Sequence, residues 1–390
     1  MVKSNFDKYL YRNYIFLIAG FAIICCLMSG NLNQYMYASV ALLCVSFLLR
    51  LSVSTIVNNK CTTFQMWIIL TWGYISINGF FISEQFFGWK SILVYLLPAL
   101  AIMLFYAPFR DKDLVFDIFC KGCEFGAVVS IIYIVINELP TILAGSARIG
   151  WSASGNVNTV AMNLSVFALV IYYEILFEQK KKLWPLFVIC ALFILLTGSK
   201  KGLMGIALAI ILLSIFKYKW RAYKYVLPIL LIGIILYILK NSPYFYSIIG
   251  RRINAFIVSL ETNQTNGSTG ERIGMVEIGW QLFKQSPIFG NGYGYFANNT
   301  IYGTYSHNNY IEMLVSFGLL GTGLYYSLFV QLIIRGVKKV AEDYHIILFI
   351  CLIFMQISFD FASVNFYNNA MMYVVLFFAS KICLLYTSDA

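Results

Sequence analysis

The sequence predicts an all-α polytopic membrane protein, and two observations carry that prediction. First, 60% of the 390 residues are hydrophobic, only 12% are charged, and the mean hydropathy is +0.77. A soluble domain of this length needs more charge than that to stay in solution. Second, apolar runs of ~20 residues, the length that crosses a bilayer as a helix, recur along the chain. Because open sheet edges leave backbone groups unpaired in lipid, we expect helices and no strands.

Twelve apolar segments are predicted to span the membrane within one integral membrane domain, residues 1–390. The first segment follows several basic residues but lacks a small-residue cleavage site, so we expect a retained membrane helix and not a signal peptide. Residues 383–390 resemble the tail of an artificially terminated reading frame, which would make them non-native. The predicted spans are 14–29, 35–56, 64–83, 89–107, 114–138, 159–177, 183–198, 202–216, 225–240, 309–334, 344–363 and 369–386.

The basic residues predict how these spans are oriented. With both termini in the cytoplasm, eighteen of the 28 Lys and Arg residues fall in inside segments, nine fall in outside segments, and Lys121 lies within a span. The positive-inside rule favours this orientation. The net charge of +11 then faces mainly the cytoplasm and its anionic lipids, so a nucleic-acid partner is not needed to explain it. We expect a multi-pass membrane protein with both termini cytoplasmic.

The nine basic residues on the predicted outer side depart from the usual bias. Lys200 and Lys201 share a tight turn, TGSKKG, between two spans with almost no loop. Cations at such a place indicate an anionic partner, and a lipid phosphate headgroup and a bound pyrophosphate fit equally well. The further outer cations considered as ligands are Arg148, Arg251, Arg252 and Arg272.

One large extracytoplasmic loop, residues 241–308, precedes the tenth predicted span. Within it, Ser268-x-x-Glu271 is typical of a capping box that opens a helix, and Pro287 follows shortly after the helix end. Arg272 occupies the first turn against the dipole preference, which again indicates an anionic partner. We expect this short amphipathic helix to lie flat on the outer membrane surface or to cover a cavity. Its apolar residues at helical spacing are Ile273, Val276, Trp280 and Phe283.

His307, one of only two histidines, lies where this loop gives way to the tenth span. Ser306 and Asn308 are candidates to cap the helix that follows. The partial positive charge of a helix N-terminus keeps an imidazole neutral and available as a base. A polar interface residue at a helix end is the alternative interpretation. Gly318 and Gly321 share the helix face of His307 and would let another helix approach closely beneath it.

These residues carry a resemblance to a known family. His307-Asn308, nine residues, then Gly318-x-x-Gly321 resembles the His-Asn…Gly-x-x-Gly signature of the O-antigen ligase and polymerase superfamily. The resemblance covers about residues 145–335. Three further elements match the family less closely. Gly155-Asn156-Val157-Asn158 has Val157 where the family usually has proline, and the TGSKKG turn has Lys200 where the family usually has arginine. Arg272 matches a family arginine, but the tryptophan that follows it, Trp280, stands at a looser spacing.

The resemblance implies a polytopic enzyme that transfers a glycan from a polyprenyl-pyrophosphate carrier to a sugar hydroxyl. His307 would take the hydroxyl proton. Two histidines far apart and the lack of an acidic D-x-D cluster predict a metal-independent reaction without a cofactor. Pyrophosphate would be held by Arg272 and Lys200, with Arg148, Lys201, Arg251 and Arg252 as further candidates, and the glycan would contact Asn308, Asn156 and Asn158. Capping of the next helix is the alternative role of Asn156 and Asn158.

The resemblance favours a polymerase of O-antigen or capsular polysaccharide, and ligase-type transfer to another acceptor is the alternative. A lipid-linked glycan flippase or transporter is a different class, which Lys121, Glu124 and Asp360 keep open because they are charged residues within predicted spans. A non-catalytic scaffold would give no reason for clustered outer cations. Cys120-x-x-Cys123 lies in an apolar helix without companion histidines, which favours packing over a metal or redox site.

Overall fold

The computed structural model describes residues 62–83, 112–145, 148–223, 268–367 and 369–384, with a few further positions between 242 and 254. The described residues form helices and contain no strand. In chain order the helices are α1 (Thr63–Phe81), α2 (Lys112–Ala144), α3 (Trp151–Ser154), α4 (Val157–Leu176), α5 (Trp184–Leu196), α6 (Lys200–Tyr218), α7 (Ser268–Phe283), α8 (Tyr295–Asn298), α9 (Asn309–Lys339), α10 (His345–Asp360) and α11 (Ala370–Leu384).

The prediction of an all-helical integral membrane protein is confirmed over this part of the chain. α2, α4, α6 and α9 are long and apolar enough to cross a bilayer, and α10 and α11 are shorter apolar helices. Eight of the predicted spans coincide with observed helices. The total of twelve and the full extent of the outer loop stay predictions. The remaining predicted spans, 14–29, 35–56, 89–107 and 225–240, lie outside the described residues.

α4 forms the centre of the helix bundle. Every residue from Val160 to Leu176 is buried, as expected of a helix that is apolar on all sides. α4 packs against α2, α5, α6 and α10, whereas α9 packs against α1, α7, α10 and α11. α10 therefore joins the two groups of helices. Cys120 and Cys123 of α2 are buried in this core and form no disulfide, which agrees with the predicted packing role.

Ion pairs gather at the end of the bundle that is predicted to face the cytoplasm. Lys180 Nζ lies 2.6 Å from the buried Glu174 carboxylate just after α4. His345, at the start of α10, has its ring nitrogens 3.2 Å from Asp343 and 3.5 Å from Glu178. At this end of α4, acidic residues thus balance the basic ones.

α9 is broken at Gly318, where φ is 64° and ψ is −167°. The turn 287–292 lies in the break, and its backbone pairs with groups that a continuous helix would use internally. Irregular backbone at membrane depth is tolerated where it is buried in protein and its polar groups are satisfied in this way. Four backbone hydrogen bonds of 2.8–3.1 Å join the two segments: Asn291 N–H to Val315 O, Gly292 N–H to Ser316 O, Leu319 N–H to Pro287 O, and Leu320 N–H to Ile288 O.

The break explains both glycines of the motif, and it corrects part of the sequence interpretation. A Cβ at Gly318 would overlap the Ile288 carbonyl, so the close neighbour there is the 287–292 turn and not a second helix. Gly321 fits the prediction, because a Cβ there would come within 2.7 Å of the Tyr74 ring on α1. The Tyr74 hydroxyl also donates to the carbonyls of Phe289 and Phe317, 3.1 Å away. α1 therefore stabilises the broken region.

Replacing Gly318 by alanine is expected to destabilise the protein strongly. The φ of 64° with ψ near 180° is a backbone region open essentially to glycine, and strain of this kind costs about 1–3 kcal/mol before the overlap with Ile288 is added. Gly323→Ala is the matched control in the same helix, because a Cβ there meets nothing within 4 Å. Thermal unfolding of the purified variants checks this. Equal midpoints for the two alanine variants would show that the break is not required.

Candidate active site

Four basic or imidazole side chains from separate parts of the chain meet at the other end of the bundle. Arg148 comes from the loop before α3, Lys201 from the first turn of α6, Arg272 from the first turn of α7, and His307 from the turn before α9. The charges of Arg272 and Lys201 act on the His307 imidazole, and those of Arg272 and Arg148 act on the Lys201 ammonium. The fold thus brings together residues that lie up to 159 positions apart in the sequence.

His307 sits at the apex of a tight turn. Its φ is +57°, a left-handed conformation that histidine adopts more readily than most residues but that is uncommon without glycine. The Tyr305 ring packs against the imidazole, with 4.4 Å between ring centroids and an interplanar angle of 61°. Asn308 caps α9 as predicted, because its Oδ1 accepts from Tyr310 N–H at 3.0 Å and Ile311 N–H at 3.1 Å. The Ser306 hydroxyl instead donates to the Asn308 carbonyl at 2.9 Å.

The environment of His307 favours its neutral form. Burial is the largest effect, and with the charges of Arg272 and Lys201 it lowers the pKa of the imidazole to about 4. Sequence reasoning had attributed the depression to the helix N-terminus, whereas burial and the two cations are the main causes. At neutral pH the ring therefore keeps a lone pair that can accept a proton.

Lys201, and not Lys200, is the lysine that joins the other cations. The Lys201 ammonium donates to Ser363 Oγ at 3.0 Å and is largely withdrawn from solvent. The neighbouring Lys200 side chain is exposed. Consecutive helix positions point about 100° apart, which is why only one of the two lysines can face the site. Ser199 caps α6 just before them, accepting from Gly202 N–H.

Arg148 is held in place by neutral acceptors. Its Nε donates to the Thr197 carbonyl at 2.5 Å, and its Nη2 donates to Asn158 Oδ1 at 3.1 Å. Asn158 Oδ1 also accepts from the Ser199 hydroxyl at 3.0 Å, so it links Arg148 to the turn that carries Lys201. These hydrogen bonds fix the position of the Arg148 guanidinium at the site.

The predicted glycan-binding asparagines have structural partners in this arrangement. Asn156 caps α4, with its Oδ1 3.0 Å from Asn158 N, so the capping alternative is confirmed for Asn156. Asn308 Nδ2 lies 3.4 Å from the Phe361 carbonyl in addition to its capping contacts. Asn158 Oδ1 accepts hydrogen bonds from the side chains of Arg148 and Ser199. A glycan contact by any of the three stays a prediction. Arg251 and Arg252 lie outside the described residues.

α7 forms one wall of the site. It packs on α9 through Met275, Leu282 and Phe283, and Gly279 allows Ile311 to approach its backbone. Of the predicted apolar positions only Phe283 is buried by the described residues, while Ile273, Val276 and Trp280 are exposed. α7 therefore has one apolar face against α9 and a second directed away from it, and Arg272 is positioned at its N-terminal end.

Two buried carboxyl groups that sequence reasoning did not assign to the site shape its surroundings. Glu138 lies at a kink in α2, two residues before Pro140, and its carboxylate accepts from the N–H groups of Gly150 at 2.7 Å and Ser152 at 2.6 Å. It thereby fixes the loop that carries Arg148. The available signal was an acidic residue at the end of an apolar span, followed by proline.

Asp360, at the end of α10, is the second such group and is completely buried. Its carboxylate accepts from Tyr326 OH at 2.8 Å, Asn365 Nδ2 at 2.6 Å and Asn309 Nδ2 at 3.3 Å. These bonds order the segment after α10, which includes Ser363, against the start of α9. Asp360 thus has a structural role beneath the site. The transporter alternative also depended on Lys121 and Glu124, and these two side chains form an ion pair of 2.7 Å with each other.

Comparison with known proteins gives a consistent result. Residues 185–326 match the family model described as O-antigen ligase, a range that includes Lys201, Arg272, His307 and both glycines of the α9 motif. This part of the chain is therefore similar to the O-antigen ligase family. An uncharacterised protein of Haemophilus influenzae is 32% identical over 188 residues, which cover 42% of this chain and 46% of the relative. The chain thus spans about half the length of this curated relative.

Members of the O-antigen ligase family are glycosyltransferase-like membrane enzymes that act on lipid-linked glycans. The resemblance found in the His-Asn…Gly-x-x-Gly motif is therefore confirmed for this region. Arg148, Glu138 and Asp360 lie outside the matched residues, although the fold brings Arg148 to the site formed by the matched region.

Proposed function

We propose that this protein transfers a glycan from a polyprenyl-pyrophosphate carrier to a sugar hydroxyl, at the outer face of the bacterial cytoplasmic membrane. The observation that carries the proposal is the placement of a neutral imidazole, His307, beside Lys201 and Arg272, with Arg148 next to Lys201. A base and a group of cations are the two requirements of this displacement. The O-antigen ligase family match supports the lipid-linked glycan as substrate.

His307 acts as the general base in this proposal. It takes the proton of the acceptor hydroxyl while that oxygen attacks the anomeric carbon of the donor. The bond between the anomeric carbon and the pyrophosphate oxygen breaks, and polyprenyl pyrophosphate leaves with the electron pair. The proton then rests on the imidazole and is released to solvent, so charges and atoms balance without a further reactant.

Lys201, Arg272 and Arg148 stabilise the leaving pyrophosphate. Charge-assisted hydrogen bonds to phosphate oxygens are the stronger class of hydrogen bond, and preorganised cations are most effective where water is excluded. Lys201 and Arg148 donate to Ser363 Oγ, the Thr197 carbonyl and Asn158 Oδ1, and these hydrogen bonds hold both side chains at the site. A bound pyrophosphate would also relieve the repulsion among three neighbouring cations. This set of side chains supports a transfer in which protein cations, and not a metal ion, hold the leaving group.

Polymerisation of an O-antigen or capsular repeat is the specific activity we favour, and ligase-type transfer to another acceptor uses the same residues. The two differ only in the acceptor. Purified protein given a polyprenyl-pyrophosphate-linked repeat unit as its only glycan should form a ladder of longer lipid-linked glycans and release polyprenyl pyrophosphate. A ligase would release little carrier until a different acceptor is added. Movement of the intact donor across vesicles, with no carrier released under either condition, would contradict transferase activity and support the flippase alternative.

A further inference from the structure

A buried carboxylate closes the turn that presents His307. Glu312, in the first turns of α9, is 2% exposed, and its Oε2 accepts from the Ser306 backbone N–H at 2.8 Å. The Glu312 N–H in turn donates to the Asn308 carbonyl at 3.0 Å, the same carbonyl that accepts from the Ser306 hydroxyl. Ser306, Asn308 and Glu312 thus form a closed ring of hydrogen bonds that joins the residues on either side of His307.

Glu312 is not needed to cap α9. Asn308 Oδ1 already accepts from the N–H groups of Tyr310 and Ile311, which are the donors that an N-cap satisfies. A buried carboxyl group is costly unless its hydrogen bonds compensate for the loss of water. The described bond of Glu312 goes to the backbone of the residue immediately before His307. The carboxylate is therefore placed to control that turn, and not the helix.

The turn needs this hydrogen bond because the backbone of His307 is in the left-handed conformation. A non-glycine residue at φ +57° is strained, and strained conformations persist at functional sites only when the surrounding contacts over-determine them. Without the bond from Ser306 N–H to Glu312, the peptide group between Tyr305 and Ser306 loses this anchor, and the turn around His307 is less constrained. The ring would then move away from Tyr305 and from the influence of the two cations, Lys201 and Arg272.

We propose that Glu312 is a positioning residue for the transfer reaction: its carboxylate, through the Ser306 N–H, holds His307 in the left-handed conformation that directs the imidazole into the cation-lined site. The proposal rests on the proposed function of His307 as general base. The groups that face the imidazole are Arg272 from α7, Lys201 from α6 and Tyr305 from its own turn, and Glu312 acts from behind the turn.

The first test compares two replacements of similar size. Glu312→Gln keeps an oxygen that can accept from Ser306 N–H, whereas Glu312→Met fills the same space without an acceptor. We expect Glu312→Met to lower kcat by about 10²-fold, the effect of misplacing a reacting group by roughly 1 Å, with KM for the donor unchanged. The kcat of Glu312→Gln should stay within about threefold of the wild-type value. Glu342→Ala, at an exposed glutamate after α9, is the matched control and should behave as the wild type.

The second test reads the position of His307 without measuring activity. His345→Ala leaves His307 as the only histidine, so the ring of isotope-labelled His307 gives a single titration curve by NMR in detergent. In Glu312→Gln the inflection should remain where the wild type has it, near pH 4. In Glu312→Met it should rise towards the ordinary value of about 6.5, because the ring leaves the buried site beside the cations.

Glu312→Asp, which keeps the charge but withdraws it by one methylene, replaces Glu312→Met if that variant does not fold, and the same rise is expected. An unchanged titration in a folded variant that lacks the acceptor would overturn the proposal. An equal loss of kcat in Glu312→Gln and Glu312→Met would overturn it too, since charge and not the hydrogen bond would then matter. If His307→Ala retained transfer, the base assignment would fail, whereas the titration would still decide whether Glu312 positions the ring.

Discussion

His307→Ala is expected to lower the rate of glycan transfer by about 10²–10⁴-fold, the usual contribution of a general base. The fold and the binding of the donor lipid should be retained, because Asn308 and Glu312 still cap and close the turn before α9. A residual rate is expected, since water can accept the hydroxyl proton in place of the imidazole. The measurement is polyprenyl pyrophosphate released per folded molecule at saturating donor.

His345→Ala is the internal control for this prediction. His345 lies at the opposite end of the bundle, stacked on Phe116 with 4.0 Å between ring centroids and close to Asp343 and Glu178. Its loss should affect stability at most, with the activity per folded molecule preserved. A histidine at position 307 that only packs would give the same pattern. Preserved specific activity in His307→Ala would therefore refute its role as a base.

Lys201→Ala and Arg272→Ala are each expected to cost about 2.7–4 kcal/mol of transition-state stabilisation, as removal of a preorganised donor usually does. Both cations act on the same ring, His307, so both are placed to reach one pyrophosphate. The losses in the double variant should be less than additive if the two share one anion, because they then belong to a single network. Steady-state transfer kinetics of the two single variants and the double variant check this.

Two exposed lysines serve as matched controls. Lys284→Ala removes an exposed lysine just after α7 and should leave transfer unchanged. Lys200→Ala removes the neighbour of Lys201, and since the Lys200 side chain is exposed we expect a much smaller loss than for Lys201→Ala. Arg272→Lys should recover only part of the wild-type rate, because lysine lacks the planar fork that suits phosphate. A greater loss for Lys200→Ala than for Lys201→Ala would contradict the arrangement of the cations and restore the sequence-based choice.

The His-Asn…Gly-x-x-Gly motif shows how far sequence reasoning reaches. Local signals were sufficient for the Asn308 cap, for the position of His307 at a helix start and for the close approach at Gly321. The break at Gly318 was not predicted, because its cause lies in the turn 287–292, which is 26 to 31 residues earlier and whose backbone completes the helix. Periodicity describes a continuous helix and carries no information on such an insertion.

The preference for Lys200 over Lys201 could not be decided from the sequence, for a related reason. Both lysines stand in the same turn, and only the phase of α6 relative to α10 decides which one reaches Ser363. The supporting carboxyl groups were missed because Glu138, Glu312 and Asp360 look like isolated acids in apolar segments. Their partners are backbone N–H groups and amides brought close only by the fold. The chemistry of the site was thus predictable from residue types, whereas its geometry was not.

The central claim is that His307 is a neutral base in a buried site lined by cations. The most direct test is the pH dependence of kcat/KM for the donor. This ratio reports the ionisation of the free enzyme, and a pyrophosphate substituted at both ends has no titration in the same range. Because the base must be unprotonated, the rate should fall as the pH falls through about 4, the depressed pKa of His307. The inflection should be missing in His307→Ala. The claim would be contradicted by an inflection near pH 6.5, which is about the ordinary pKa of imidazole, or by an unchanged profile in His307→Ala.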